Sequence, residues 1–428
     1  MIFNTIKLLL NPKFMKPNFA MLFTPVISMC ILTIGNSFYM SYTTLQLEKM
    51  GISNSIIGII SASFFAGMML GSYLSQKLIV RIGYIRSYVL FATLMALSSI
   101  MQGILCIPMI WALLRFICGY ALAGLFIVVE SWCLEGAGQG FKGRILSFYL
   151  AIYYFAQASG QFLLNIEFNN TLVAFCIISM LASLSVIPVS ITRFEMPKQT
   201  NVELLSPFIL FKRAPLGMWA SFTAGTILGS IYSIYPLFLI QVNHSTEAIA
   251  YVMFSVIFGG MILQLPIGKI SDFQDRRKVL LIVLVISAII SLSMCFIHNY
   301  FWQVIILSFL IGGLTFTIYP ISISYSSDNL EASHLVGIVG LLALFYGLGS
   351  MFGPIFSTVF MSLVGTSGFF VSISFICVLL ITYILCRIYA NSRNQQAERV
   401  QFQSIAPEAS VATETLYEQQ MIDKKNNN

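Results

Sequence analysis

Charged residues are scarce in this sequence. Asp, Glu, Lys and Arg make up 9% of its 428 residues, against about 25% in soluble domains. Apolar residues make up 58%, and the mean hydropathy is +0.87. The bases are scattered in short segments, so the net charge of +7 does not indicate a nucleic-acid partner. The composition excludes a soluble globular domain and indicates a chain that crosses the membrane repeatedly.

Residue patterns for catalysis or metal binding are also lacking. The three histidines are dispersed, and the eight cysteines form no CxxC pair and no metal-ligand spacing. No GxxxxGK(S/T) loop occurs, so the chain does not carry its own ATPase. We therefore expect no cofactor, no metal and no catalytic residue. A membrane-embedded enzyme would need a cluster of His, Asp or Cys near one interface, and a sensor or scaffold would be expected to carry a large soluble domain.

Twelve apolar runs are long enough to cross a bilayer, and they are too continuous for the alternating strands of a barrel. They lie at about 20–43, 55–79, 86–106, 109–133, 145–165, 171–191, 215–240, 247–268, 279–297, 301–325, 335–361 and 367–389. The predicted fold class is an all-α polytopic membrane protein with two six-helix bundles, at 19–191 and 215–389. An N-terminal lead (1–18), a polar connector (192–214) and a tail expected to be disordered (390–428) complete the chain.

The positions of the bases predict the orientation. If odd-numbered runs leave the cytoplasm, every Lys and Arg except Lys49 and Arg115 falls in a cytoplasmic segment. Both termini are therefore predicted to be cytoplasmic, and the expected location is the bacterial inner membrane.

The two halves of the sequence repeat. Residues 64–70 (FFAGMML) align with residues 256–262 (VIFGGMI) at an offset of 192, and residues 35–38 align with residues 229–232 at nearly the same offset. A six-plus-six repeat with the same topology in each half predicts two bundles related by an axis normal to the membrane. Proteins of that build bind a solute between the halves and rock to expose the site to each side in turn.

The most charged stretch, Leu263–Lys278, is predicted to be a short loop at the membrane surface. It resembles the loop signature Gly-x-Leu-Ser/Ala-Asp-x-x-Gly-Arg-Arg/Lys-Arg/Lys of the major facilitator superfamily, although Asp275 replaces the second glycine. The equivalent stretch of the first half, Ser72–Arg86, has Val80 in place of the aspartate. Arg115-Phe-Ile-Cys-Gly119 and Gly349-Ser-Met-Phe-Gly353-Pro354 resemble further elements of that superfamily.

Three segments are similar to the YcaD-like bacterial branch of this superfamily. They are residues 129–132 (VESW), 231–236 (IYSIYP) and 316–320 (FTIYP). The resemblance covers about residues 20–390. It implies the twelve-helix transporter fold and carries almost no information about the substrate.

The charged loops are predicted to form a cytoplasmic gate. Acids and bases that pair there would hold that side closed and separate when it opens, whereas the alternative is that the bases only anchor the topology. The gate residues are Arg81, Gly83, Arg86, Glu130, Gly268, Asp272, Arg276 and Arg277. Loss of the aspartate from the first half predicts an asymmetric gate.

Two charged residues lie inside predicted spans. Glu130, near the cytoplasmic end of the fourth span, must be paired or protonated because burying a lone carboxylate is costly. It is interpreted as a gate partner of Arg81, Arg86 or Arg144, or as a proton carrier. Arg115, near the outer end of the same span, is a candidate for binding an anionic group or for a structural role.

The predicted substrate cavity is polar, aromatic and uncharged apart from Arg115, which suits an amphipathic organic ligand. Its candidate residues are Asn36, Arg115, Tyr154, Gln157, Gln161, Tyr232, Tyr235, Gln264, Tyr319 and Tyr346. Gln157, Gln161 and Asn165 are spaced i, i+4, i+8 and are predicted to form one polar stripe. For each of these residues, bonding between helices is the alternative interpretation.

These features predict a secondary active transporter. It is expected to move a small organic solute by alternating access, coupled to protons, with export preferred to uptake. The alternative is a proton-coupled importer of a metabolite or a metal chelate. The expected partners are the solute and membrane lipid, and the protein is expected to be a monomer.

Overall fold

The computed structural model describes residues 19–136, 142–168, 170–192, 215–297, 300–328 and 335–390. The first half comprises α1 (Phe19–Lys49), α2 (Asn54–Ile82), α3 (Tyr84–Ile104), α4 (Pro108–Gly136), α5 (Lys142–Gly160) and α6, which has two segments (Thr171–Leu184 and Val186–Ile191). The second half comprises α7 (Pro215–Gln241), α8 (Thr246–Phe273), α9 (Arg276–Ile297), α10 (Phe301–Asp328), α11 (Leu335–Val364) and α12 (Gly368–Ala390). The predicted lead, tail and nearly all of the connector lie outside the described residues.

Eleven of the described helices are long and apolar enough to cross a membrane. The exception is α5, whose 19 residues include a polar end and continue into a 3-10 turn at Gln161–Asn165. It nevertheless packs between α1 of its own half and α8 of the other half. The twelve predicted spans therefore correspond one to one with α1–α12.

The two charged stretches are mostly helical, so the prediction of surface loops was wrong. Helix α8 continues to Phe273 and α9 begins at Arg276, which leaves only residues 274 and 275 between them. In the first half only Gly83 separates α2 from α3. The reason is length: the 28 residues of α8 extend about 42 Å, beyond a hydrocarbon core of about 30 Å. The last turns therefore reach polar surroundings, where charged side chains belong on a helix.

A different feature interrupts the helix at each of these two junctions. Gly83 has a φ of 84°, a left-handed conformation that glycine adopts without a steric penalty. At the equivalent position of the second half, Asp275 Oδ1 accepts a hydrogen bond of 2.9 Å from the backbone N of Arg277. Asp275 therefore caps the N-terminus of α9, which explains how an aspartate can stand where the superfamily has glycine.

Contacts within the two halves follow the repeat. Each helix of the first half is equivalent to the helix six places later, and equivalent helices make equivalent contacts. The first half has the pairs α2–α4, α1–α5 and α3–α6, and the second half has the corresponding pairs α8–α10, α7–α11 and α9–α12. Contacts between the halves follow the same equivalence. The contact of α2 with α11 corresponds to that of α8 with α5, and α1 contacts its own equivalent, α7. The halves are thus arranged as the parallel repeat predicts.

Glycines at equivalent positions form the closest helix contacts. A Cβ on Gly67 or Gly119 would lie 1.9 Å from a backbone oxygen across the α2–α4 contact. A Cβ on Gly259 or Gly312 would lie 2.0 Å from a backbone oxygen across the α8–α10 contact. Small residues allow helices to approach this closely in a membrane. Both halves therefore use glycines at equivalent positions for close helix packing.

Four helices form an inner ring. In the most apolar 18-residue segment of α1, α4, α7 and α10, 67% to 94% of the residues are buried. In the seven other spanning helices apart from α5, the corresponding share is 39% to 56%. The inner helices correspond in pairs under the repeat, α1 with α7 and α4 with α10.

Candidate functional site

The two ends of the bundle differ in charge. The basic end contains the α2–α3 and α8–α9 junctions, at residues 83 and 274–275. The sparse end contains the α1–α2 and α7–α8 junctions, at residues 50–53 and 242–245. Between these ends lies the interior that contains most of the predicted cavity residues.

A polar seam joins α1 to α5 in this interior. Gln161 Nε2 donates to Ser37 Oγ at 2.7 Å, and Ser41 Oγ donates to Gln161 Oε1 at 2.8 Å. Ser37 Oγ also donates to the backbone oxygen of Gln157. The amide of Gln161 is therefore engaged by α1, whereas Gln157 Oε1 is buried with no hydrogen-bond partner within the described residues.

The predicted polar stripe on α5 is shorter than the spacing suggested. Helix α5 ends at Gly160, and residues Gln161–Asn165 form a 3-10 turn. A 3-10 turn advances about 120° per residue instead of about 100°, which rotates Asn165 away from Gln157 and Gln161. Asn165 is exposed, so its assignment to the stripe was wrong.

Arg115 is fully enclosed between α1, α2 and α4. It is 1% exposed, and its guanidinium carbon lies 4.7 Å from the centre of the Tyr39 ring and 4.5 Å from that of Phe64. Its Nη2 donates to Met40 Sδ at 2.7 Å. Its Nε and Nη1 have no hydrogen-bond partner within the described residues. The sequence singled out Arg115 but gave no sign of the two rings or the thioether around it.

An aromatic cluster crosses between the halves near the middle of the bundle. The Phe316 ring of α10 lies 5.7 Å from the Tyr154 ring of α5 and 5.9 Å from the Tyr232 ring of α7. The same ring packs on Gly260, where a Cβ would lie 2.6 Å from it. Tyr154 and Tyr232 were predicted cavity residues, whereas Phe316 was noted only as part of a family segment.

The other predicted cavity residues are buried in separate places. Tyr235 donates to or accepts from Ser308 at 2.6 Å and stacks on Phe369 at 5.3 Å, within the second half. Tyr319 and Tyr346 contact each other at 4.9 Å between α10 and α11. Gln264 is buried in α8, and Asn36 is buried in α1 with no partner for its Oδ1 within the described residues.

A charged cluster braces the basic end of the second half. Arg276 Nε lies 2.7 Å from Asp328 Oδ2, and Arg276 Nη2 lies 3.4 Å from Asp272 Oδ1. The Arg276 side chain is 2% exposed. These ion pairs join α8, α9 and α10, three helices of one half.

The first half has a counterpart of this cluster without an arginine. Tyr84 begins α3 as Arg276 begins α9, and its hydroxyl donates to Glu135 Oε1 at 2.7 Å. Glu135 ends α4 where Asp328 ends α10, and Val80 occupies the position of Asp272. The equivalent positions therefore carry an ion-paired arginine in one half and a hydrogen-bonded tyrosine in the other, while the asymmetric gate stays a prediction.

The remaining predicted gate residues are not brought together. Arg81 and Arg86 are exposed, and neither forms an ion pair with a described residue, whereas Glu130 is fully buried in α4. Arg277 lies over the Tyr325 ring at 5.4 Å, and Gly268 is buried within α8. The structure therefore does not join Glu130 to Arg81 or Arg86.

A second polar cluster, here called the clasp, joins the halves at the sparse end. Gln241 Nε2 of α7 donates to Glu48 Oε1 at 3.1 Å and to Asn54 Oδ1 at 2.9 Å. One to two turns further in, Thr44 Oγ1 donates to the backbone oxygen of Ser233 at 2.8 Å. The clasp could not be predicted from the sequence, because its residues stand at helix ends and fit no motif.

Close packing continues around the clasp. A Cβ on Gly58 of α2 would lie 2.2 Å from Thr358 Oγ1 of α11. On the other side of the bundle, the Phe162 ring lies 4.9 Å from the Phe254 ring of α8. At the sparse end, α2 therefore contacts α11, and the 3-10 turn that follows α5 contacts α8.

Comparison with known proteins places this architecture in a family. A sequence profile described as Major Facilitator Superfamily matches residues 26–272 and 241–419. The chain therefore belongs to the major facilitator superfamily, as the resemblance of its charged stretches implied. This membership defines a multi-pass membrane protein of a transporter family.

Curated relatives place the chain near the YcaD-like branch. It is 27% identical over 359 residues to the uncharacterized MFS-type transporter YcaD of Escherichia coli O17:K52:H18 (strain UMN026 / ExPEC), covering 82% of this chain and 92% of the relative. It is 27% identical over 333 residues to an uncharacterized MFS-type transporter of Enterobacter sp. (strain 638), covering 77% and 86%.

Two solved structures share the fold. The nucleoside transporter NupG superposes with a TM-score of 0.72 at 14% identity, covering 87% of this chain and 99% of that protein. A bacterial homologue of the human lysosomal transporter Spinster, in an inward-facing and unoccupied conformation, superposes with a TM-score of 0.68 at 13% identity, covering 96% and 98%. At these identities the likeness concerns the fold alone.

Proposed function

We propose that this protein moves a small organic solute across the bacterial inner membrane by alternating access, with both termini in the cytoplasm. The clasp is the observation that carries this proposal. It connects two pseudo-symmetric halves at one end of the bundle, through hydrogen bonds that a rocking motion would break. The sparse end would then face the periplasm, and this structure would represent the conformation in which that side is closed.

The charged cluster of the basic end has a different role in this proposal. Because Arg276 joins α8, α9 and α10, it keeps the end of the second half rigid while the halves move relative to each other. Tyr84 and Glu135 do the same in the first half. The gate predicted from the sequence thus becomes a pair of braces, and the clasp becomes the contact that opens and closes.

Proton coupling and export remain proposals from the sequence. Glu130 is a carboxylate that is fully buried within an inner helix, and an ionisable side chain inside a membrane span is a candidate for a proton relay. It is therefore the residue proposed to carry the proton. Uptake of a metabolite or chelate is the alternative direction, and proton-driven counterflow in vesicles of each orientation distinguishes the two.

Replacing Gln241 by Ala is expected to open the sparse end. The change removes two hydrogen bonds between the halves, each contributing about 1 kcal/mol, so the open population should rise about tenfold or more. The reporter is Ser233→Cys, buried behind the clasp, in a background without native cysteines. Its labelling by a membrane-impermeant maleimide in intact cells measures the opening.

Gln274→Ala is the matched control, because Gln274 is an exposed glutamine at the basic end. It should leave the labelling of Ser233→Cys unchanged. Equal labelling in the parent and in both variants would refute the proposal that the clasp keeps the sparse end closed.

A further inference from the structure

The guanidinium of Arg115 is an incompletely satisfied charge in the interior of the first half. Guanidinium groups carry five N–H donors, yet the described partners of Arg115 are a thioether sulfur, Met40 Sδ at 2.7 Å, and the Tyr39 hydroxyl. Thioether sulfur is a weak acceptor. Nε and Nη1 are buried without a hydrogen-bond partner within the described residues, and the described ion pairs do not include Arg115.

Burial of this kind is costly unless something else supplies the missing acceptors. An unpaired charge in a low-dielectric interior costs several kcal/mol. The Tyr39 and Phe64 rings compensate part of this cost by cation–π contact, at 4.7 Å and 4.5 Å. The rings cover the guanidinium, whereas N–H donors point outward in its plane. An oxyanion approaches in that plane, because carboxylate and phosphate oxygens accept from the N–H groups.

The position of Arg115 places these donors on the inner ring of helices. Met40, its thioether partner, lies on the same face of α1 as Asn36 and Thr44, one turn away in each direction. Thr44 contacts the backbone of Ser233 in α7, so this face of α1 is turned toward the second half. Arg115 therefore contacts α1, the helix of the first half that also meets α7 of the second half.

Two further polar groups in this region lack partners. Asn36 Oδ1 and Gln157 Oε1 are both buried, and neither has a hydrogen-bond partner within the described residues. The neighbouring Ser37 donates to the Gln157 backbone, which places α5 beside this part of α1. Buried polar atoms in folded proteins are normally satisfied. Arg115, Asn36 and Gln157, on α4, α1 and α5, thus have unfilled hydrogen-bonding capacity that polar groups of a solute could fill.

We propose that Arg115 binds the anionic group of the transported solute, which makes the substrate class an organic anion bearing a carboxylate or a phosphate. The inference rests on the proposed transport function and deepens it. Asn36 and Gln157 hydrogen-bond polar groups of the solute, and the Tyr154–Phe316–Tyr232 cluster contacts its apolar or aromatic body.

The test compares matched solutes on the purified full-length protein. Benzoate and phenyl phosphate are the anionic probes, benzamide is the neutral probe, and benzylamine is the cationic probe. A ligand that binds only the folded state raises the unfolding midpoint as its concentration increases. We expect at least one anionic probe to raise the midpoint more than benzamide and benzylamine do, and the better of the two anions identifies the oxyanion.

Variants then assign the effect to Arg115. In Arg115→Gln the apparent Kd of the stabilising anion should rise about 30-fold or more. Arg115→Lys keeps the charge without the planar fork, so its loss should be smaller. Met40→Leu removes the sulfur at nearly constant volume, and it should bind the anion at least as tightly as the parent protein does.

Two results would overturn the inference. One is that neither anion stabilises the parent protein more than the neutral probe does, a comparison that needs no variant to fold. The other is that Arg115→Gln retains the stabilisation in full. Either result would leave the clasp experiment unaffected, so failure of the anion site and failure of alternating access can be told apart.

Discussion

Replacing Arg276 by Gln is expected to lower the free energy of unfolding by about 3 kcal/mol. The substitution leaves Asp328, whose side chain is 10% exposed, without the cation that lies 2.7 Å away. Removing one partner of a buried pair is more costly than never having had the pair, because the remaining charge is uncompensated. Uptake of a proton by Asp328 limits the loss. Unfolding of the purified protein by heat or by SDS measures it.

Arg277→Gln is the control for this prediction. Arg277 is the next residue in α9, it is only partly buried, and it covers the Tyr325 ring. Its replacement should cost less than about 1 kcal/mol. If the two variants lost the same stability, the bracing role proposed for Arg276 would be contradicted.

Replacing Gly259 by Ala is expected to destabilise the second half by about 3 kcal/mol or to prevent folding. The added Cβ would lie 2.0 Å from the backbone oxygen of Phe309. Backbone atoms cannot rotate away as a side chain can, so α8 and α10 would have to separate along their contact. The yield of monodisperse protein and its unfolding midpoint measure the effect, and Gly67→Ala in the first half should behave in the same way.

Gly347→Ala provides the comparison at a glycine that has room. A Cβ there would meet Met69 Cγ at 3.4 Å, an ordinary van der Waals contact with a flexible side chain. This variant should fold with nearly unchanged stability. The glycine interpretation would be contradicted if Gly259→Ala were as stable as Gly347→Ala.

Much of the fold could be predicted from the sequence. Long apolar runs locate membrane helices because the backbone must satisfy its own hydrogen bonds in lipid. The internal repeat at an offset of 192 predicted the pairing of the halves, and the glycines at 67 and 259 form equivalent contacts. The helix ends were less predictable. Hydropathy marks where the apolar core ends, and α8 continues past it to Phe273 because charged residues are tolerated on a helix at the surface.

Side-chain partners could not be predicted in the same way. The sequence showed that Asp272 and Arg276 form a charged cluster, and their separation of one helical turn agrees with their contact of 3.4 Å. It did not show that Asp328, more than 50 residues away, is the nearer acid. Similarly, Gln157 and Gln161 were recognisable as one polar group, but only the structure shows that Gln161 is engaged by Ser37 and Ser41.

The candidate site illustrates the same limit. An arginine inside a predicted span is recognisable as an unusual charge in any sequence. Whether it is neutralised depends on distant residues, and here the neighbours are two rings and a thioether, not a carboxylate. The clasp was invisible to motif analysis because Glu48, Asn54 and Gln241 are ordinary polar residues at three helix ends.

The most direct test of alternating access measures the distance between the halves at both ends of the same molecule. Spin labels at Ser53 and Glu247 report the sparse end, and labels at Lys77 and Gln274 report the basic end; all four positions are exposed. The Gln241→Ala substitution is used to raise the population of molecules in which the sparse end is open. We predict that the sparse-end distances lengthen and the basic-end distances shorten together, in the same proportion of molecules. A sparse end that opens while the basic-end distances stay unchanged would contradict the rocking of two rigid halves.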